Sequence, residues 1–167
     1  MPMPQPHLLR RFEPSDLEPL LHLYEQAVSS QCTGLYSPEQ VEAWAQHPWH
    51  GETVATTILR GFTLVNPQTP EATELAAFGV LDPIDRLALL YCDGRCSRQG
   101  RSSALLSALE TQAQSQGVAQ LRTEASQLSK PLLLRRGWRI EAPETVLFAG
   151  VTFERWRMIK PLTPGHG

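Results

Sequence analysis

The stretch from Ile84 to Ala125 constrains the fold of this chain more than any other, because its periodicity changes twice. Ile84–Cys92 is an apolar run of strand length, and Asp93–Gln99 is a polar loop. Beyond it, Ala104, Leu105, Ala108, Leu109 and Ala113 recur at helical spacing. Gly117 stops that helix at the position where a left-handed residue is needed. Ala119–Ala125 reads as the next strand. A β-loop-α-β unit of this kind calls for a sheet with helices on its faces.

The rest of the chain can be placed around that unit. His7–Phe12 reads as a first strand. Ser15-Asp16-Leu17-Glu18 has the form of a capping box and predicts a helix over about 15–30. Ser37-Pro38-Glu39-Gln40 is a second helix start, with Val41, Trp44 and Ala45 on its apolar side. His47-Pro48-Trp49-His50-Gly51 ends it. Phe62–Val65 and Leu75–Leu81 read as strands, joined by a proline-bearing loop over 66–73. A short helix is expected over about 128–136, stopped by Gly137. Val146–Phe148 and Val151–Ile159 form a closing strand pair around Ala149-Gly150. The expected order is β-α-α-β-β-β-α-β-α-β-β: an α/β (α+β) domain with a mixed, mostly antiparallel sheet flanked by helices. No internal boundary appears, so residues 1–167 read as one domain, with about 1–6 and 162–167 as loose tails.

Composition narrows the function classes. The net charge is −2, from 15 Lys and Arg against 17 Asp and Glu. A nucleic-acid footprint would need a basic excess, so none is expected. Almost all the cations are Arg, and Arg95, Arg98 and Arg101 gather in one loop, which points to a local anion site. The three cysteines, Cys32, Cys92 and Cys96, are too few and too scattered for a disulfide framework and suit a reduced, cytoplasmic protein. His47 and His50 flank Trp49 without a nearby carboxylate, so no metal site is expected. The N-terminal residues form no signal peptide, and no stretch approaches the ~20 apolar residues of a membrane span.

The anion site is the loop before the Arg101 helix. A helix N-terminus offers unpaired N–H groups and about half a positive charge. Gly100 permits close approach of the backbone, so a phosphate or pyrophosphate matches the turn.

Here the strings resemble a known family. Ser97-Arg98-Gln99-Gly100-Arg101-Ser102, followed by Ser103-Ala104-Leu105-Leu106-Ser107-Ala108-Leu109-Glu110, resembles the acetyl-CoA motif of the GNAT N-acetyltransferase superfamily. Thr123-Glu124-Ala125-Ser126 and Pro131–Trp138 are similar to its later segment, and Arg10–Asp16 to its opening. Tyr36-Ser37-Pro38-Glu39-Gln40 resembles a helix start of one bacterial branch.

The resemblance implies acetyl transfer from acetyl-CoA to a primary amine of a small molecule or protein, by direct attack and without a metal. It implies that the backbone of Leu90, Tyr91 and Cys92 pairs with the pantetheine arm. Arg98, Gln99, Gly100, Arg101, Ser102 and Ser103 then take the pyrophosphate, and Ser126 contacts the cofactor. It places Tyr36, Gln40 and Trp44 at the acceptor pocket. A base is needed, and Asp85 and Glu124 are the candidates. Three positions depart from the family pattern. Ser97 stands where Gln or Arg is usual, Ser102 where Gly or Ala is usual, and Leu133 where many members have a thiolate-protonating Tyr. They keep open the alternative of a degenerate domain that binds CoA without transfer. The final strands could pair two copies into a homodimer.

Overall fold

The clearest helix start of the sequence appears as read. Ser37 Oγ accepts from Gln40 N at 3.1 Å, Gln40 Oε1 accepts from Ser37 N at 2.9 Å, and Pro38 opens the helix. The computed structural model describes residues 7–162, so most of both expected tails lies outside the described residues. Leu162, expected to be loose, donates its N–H to Ala119 O at 2.8 Å.

The elements are β1 (Arg10–Arg11), α1 (Leu17–Gln31), α2 (Pro38–Ala45), α3 (Thr53–Arg60), β2 (Phe62–Pro67), β3 (Leu75–Leu81), β4 (Leu87–Cys92), α4 (Arg101–Ser115), β5 (Gln120–Ala125), α5 (Lys130–Arg135), β6 (Arg139–Phe148) and β7 (Val151–Pro161). The expected order holds, with α3 added. The strands form two antiparallel sheets, β1-β2-β3-β4 and β5-β7-β6. Among the described residues no helix is long and apolar enough to cross a membrane.

Several boundaries move for physical reasons. The first strand shrinks to Arg10–Arg11, the residues that pair with Val65 and Leu64. The first capping box is Glu13 with Asp16, not Ser15 with Glu18, because Pro14 starts a 3-10 turn that leads into α1. Residues 82–86 form a turn, closed by Asp82 N to Arg86 O at 3.0 Å, so β4 starts only at Leu87. The last hairpin is longer than expected, and Ala149 (φ 49°) and Gly150 (φ 78°) make its turn.

The first sheet is covered on both faces. Phe78, Val80, Leu89 and Tyr91 pack under α1 and its neighbours. Ala77, Leu81, Leu87, Leu90 and Cys92 pack under Leu105, Leu106 and Leu109 of α4. That second cluster also takes Leu121, Leu133, Trp138 and Met158, and so joins the two sheets. Glu110 reinforces the joint: its carboxylate accepts from Trp138 Nε1 (3.0 Å) and Lys160 Nζ (2.8 Å).

Asp16 anchors the start of α1. Its carboxylate accepts from both terminal nitrogens of Arg10 (2.8 and 2.9 Å) and from Glu13 N (2.8 Å). Chiefly through the Arg10 bonds, its pKa lies below the usual 3.8. That stabilisation is complete above the ordinary carboxylate range and is lost as pH falls through the lower, folded value. Asp16→Asn should cost about 1.5–3 kcal/mol at neutral pH, read as a lower urea midpoint. The gap from the parent should narrow in acid. A constant gap down to pH values of about 2, where carboxyls are protonated, would contradict this role.

Candidate active site

β4 and β5 run parallel and touch at one end only. Arg86 and Arg122 form an isolated parallel bridge, and Arg122 N donates to Asp85 O at 3.0 Å. Thr123 Oγ1 donates to Leu87 O at 2.6 Å. Two ion pairs clamp the same end, Arg86–Glu124 at 3.0 Å and Arg122–Asp85 at 3.3 Å. Beyond this apex no backbone bond joins the two strands among the described residues. The strands splay, and a cavity of about 310 Å³ opens between them.

The open edge of β4 follows from its pairing with β3. Asp93 N donates to Ala76 O at 2.7 Å, so the backbone polar groups of Asp93, Tyr91 and Leu89 point to β3. Those of Leu90 and Cys92 therefore point into the cleft. Gln31 Nε2 donates to Cys92 O, leaving Leu90 N–H, Leu90 C=O and Cys92 N–H without a backbone partner among the described residues. An extended, amide-bearing chain can add to such an edge as an extra strand.

The loop after β4 builds the expected turn. Arg98 (φ 60°) and Gly100 (φ 79°) both take left-handed backbone conformations, and Gly100 caps α4. The first intrahelical bond runs from Ala104 N to Gly100 O at 3.0 Å. The N–H groups of Arg101, Ser102 and Ser103 therefore lack intrahelical acceptors and face outward from the helix start. Among the described residues, a Cβ on Gly100 would find only His7 Nε2 within 4 Å, at 3.8 Å.

The side chains of this loop divide. Arg101 does not reach toward the turn's mouth: Nη1 donates to Asn66 Oδ1 (2.8 Å) and Nη2 to Gln68 O (3.1 Å). Arg101 thus fastens α4 to the β2–β3 loop and offers the turn its N–H alone. Arg95 pairs with Asp93 at 2.8 Å. Arg98 and Gln99 are exposed, and Gln99 O meets the His7 ring. Ser102 lines the cavity, whereas Ser103 does not. Cys92 lines it too, but burial first, then the nearby Cys96, pushes its thiol pKa up to about 11. It is a packed thiol and not a nucleophile at neutral pH.

The remaining candidates fall on different walls. Glu124 lines the cavity; Arg86 Nε binds its Oε2, and Oε1 has no protein partner among the described residues. Asp85 is not brought to the cavity: it sits at the outside of the apex, half-exposed, with Arg122. Ser126 lines the cavity and shares a hydroxyl contact with Ser129 at 3.1 Å. Tyr36 and Trp44 line it as well. Tyr36 Oη accepts from Gln127 N at 2.7 Å, and Trp44 Nε1 donates to Tyr91 Oη at 3.0 Å. Gln40 stays outside, its Nε2 donating to Thr152 O at 2.9 Å, and ties α2 to β7. Leu133, at 1% exposure, belongs to the core and lines the cavity with an apolar side chain.

The sequence reading missed His47, Phe148 and Phe153 as cavity residues. His47 and Phe148 lie edge to face at 4.4 Å between centroids. Burial, and secondly His50, hold the His47 pKa below the ordinary 6.5, so its ring is neutral at physiological pH. Their only local signal is aromatic character near a turn, which packing residues share.

The sheet splits after one bridge, and the split holds an unpaired strand edge with a helix start at its rim, an arrangement that suits an extended, amide-bearing chain ending in an anion. Residues 32–160 match the acetyltransferase (GNAT) domain model, and the chain belongs to that family. The uncharacterized N-acetyltransferase YafP of Escherichia coli K12 is 25% identical over 154 residues, covering 90% of this chain and 93% of the relative. A GCN5-related N-acetyltransferase structure from Rhodopseudomonas palustris superposes with a TM-score of 0.89 at 23% identity, covering 97% of this chain and 99% of that one. The PaiA N-acetyltransferase of Thermoplasma acidophilum, solved with coenzyme A, gives 0.72 at 19% identity, covering 92% and 98%.

Proposed function

We propose that this chain transfers the acetyl group of acetyl-CoA to a primary amine of a small molecule or a protein. The single observation that carries the reading is the splayed β4–β5 cleft, whose open edge at Leu90 and Cys92 leads to the N–H groups at Gly100–Ser103. Acetyl-CoA supplies an activated acetyl thioester and a thiolate leaving group. The Leu90–Cys92 edge would align the pantetheine amides, and the first turn of α4 would hold the phosphates.

In the reaction the amine nitrogen bonds to the thioester carbon, the carbon–sulfur bond breaks, and the amine's proton leaves. A cleft-facing β4 N–H is suited to the charge that gathers on the thioester oxygen. Of the two carboxylates expected as bases, Glu124 faces the cavity and keeps Oε1 open, so it is the proposed acceptor of that proton. Thiolate is a fair leaving group, so the reaction does not require an acid at Leu133.

Burial of Leu133, with no acid in that place, favours the second reading, a domain that binds CoA without transfer. Calorimetric titration with acetyl-CoA, followed by thiol release with a panel of amines, separates the two. Binding with turnover supports acetyl transfer, and binding with no turnover on any amine supports the second reading. No binding at millimolar acetyl-CoA removes both.

A further inference from the structure

The cavity has a second end, away from the α4 turn, where α2 and the following 3-10 turn face the β6–β7 hairpin. Gln40 and Thr152 hold these parts together across the gap. Its wall is a connected set of rings. Tyr36 and Trp44 lie 5.3 Å apart edge to face, and Phe153 lies 6.1 Å from Tyr36 and 6.5 Å from Trp44. Phe148 continues the wall, 5.8 Å from Phe153 and 4.4 Å from His47. All five residues line the cavity, and all are only partly buried, so ring surface is left facing the space.

The charges at this end are few and mostly satisfied. Arg155 lines the cavity but donates to Glu144. Glu154 is exposed and projects with Trp156 from the face of β7 opposite Phe153 and Arg155, so it adds no charge to the aromatic wall. His47, its pKa held below the ordinary value by burial, is uncharged at neutral pH and does not repel an ammonium. Trp44 Nε1 is taken by Tyr91 and Tyr36 Oη already accepts from Gln127 N, so the five ring residues keep the Tyr36 O–H and the His47 ring nitrogens as their polar groups, few for a polyhydroxylated or peptide acceptor. Ring surfaces at these spacings favour another flat apolar body, set edge to face or offset against them.

We infer that this end selects a primary amine carried on an aromatic body by a short flexible arm, with the rings of Tyr36, Trp44, Phe148 and Phe153 holding that body. The inference rests on the acetyltransferase reading, because it is the cofactor end that makes this end the acceptor's.

The test uses the full chain saturated with CoA and three probes: 2-phenylethylamine, spermidine and an N-acetylated lysine amide. Calorimetry gives their dissociation constants, and thiol release from acetyl-CoA gives their relative kcat/KM. 2-Phenylethylamine should bind at least about tenfold more tightly than either other probe, the scale of one or two favourable ring contacts. Phe153→Leu and Trp44→Leu should remove most of that preference and leave the acetyl-CoA dissociation constant unchanged. Equal or tighter binding of spermidine or the lysine amide would overturn the inference while the acetyltransferase reading stands. So would the absence of 2-phenylethylamine binding at millimolar concentration in a chain that binds acetyl-CoA. Failure to bind acetyl-CoA would instead remove the reading beneath it.

Discussion

Glu124→Gln should lower kcat/KM by about 10²–10⁴-fold for any amine that the parent chain acetylates, the usual worth of general base assistance. Arg86 Nε fixes Oε2 at 3.0 Å, which orients the carboxylate on the cavity wall and leaves Oε1 for the substrate or one bridging water. Glutamine keeps the shape and the hydrogen-bonding reach but cannot take the proton. Acetyl-CoA affinity, measured by calorimetry, should therefore be unchanged while the rate falls. The apex role predicts something else: if Glu124 only clamps β5 to β4 through Arg86, the variant should lose thermal stability and keep most of its kcat. Asp85→Asn is the comparison. Asp85 lies outside the cavity with Arg122, so its loss should leave kcat near that of the parent.

The second large effect is at the turn. Gly100→Trp should weaken acetyl-CoA binding by at least about tenfold and leave the far-UV circular dichroism of the chain intact. Gly100 takes φ 79°, and among the described residues the only atom within 4 Å of its missing Cβ is His7 Nε2, at 3.8 Å. An indole there meets little protein. It would occupy the space in front of the N–H groups of Arg101, Ser102 and Ser103, where the phosphates are proposed to bind. The left-handed backbone should add a stability cost of about 1–2 kcal/mol for the new side chain. Gly100→Ala separates the two contributions: it carries a similar backbone cost with far less obstruction, and should keep most of the affinity.

How much of this was legible depended on how local each feature is. The Ser37–Gln40 box and the turn at Gly100 are set by a few neighbouring residues, and both appear where the sequence puts them. The helix α3 is not visible from local preference. Five of its eight residues, Thr53, Val54, Thr56, Thr57 and Ile58, are β-branched. It forms because Val54 and Ile58, four apart, are buried in the cluster with α1. The first half of β6 was hidden by charged residues and Pro143, which an edge strand tolerates. Arg101 looked like phosphate charge because its partners, Asn66 and Gln68, lie more than thirty residues away in the chain. The second end of the cavity was only half legible. Tyr36 and Trp44 were expected there, but the hairpin that brings Phe148 and Phe153 against them is a tertiary event with no local mark.

The open edge of β4 is where acetyl-CoA is proposed to lie. Amide hydrogen exchange, read residue by residue with and without acetyl-CoA, addresses it directly. The Leu90 and Cys92 amides face the cleft without a backbone partner, so they should exchange faster than Leu89 and Tyr91 in the free chain. Saturating acetyl-CoA should slow both, together with the amides of Arg101, Ser102 and Ser103. Saturable binding that leaves Leu90 and Cys92 exchanging as before would contradict the account, because the ligand would then lie somewhere other than between β4 and β5.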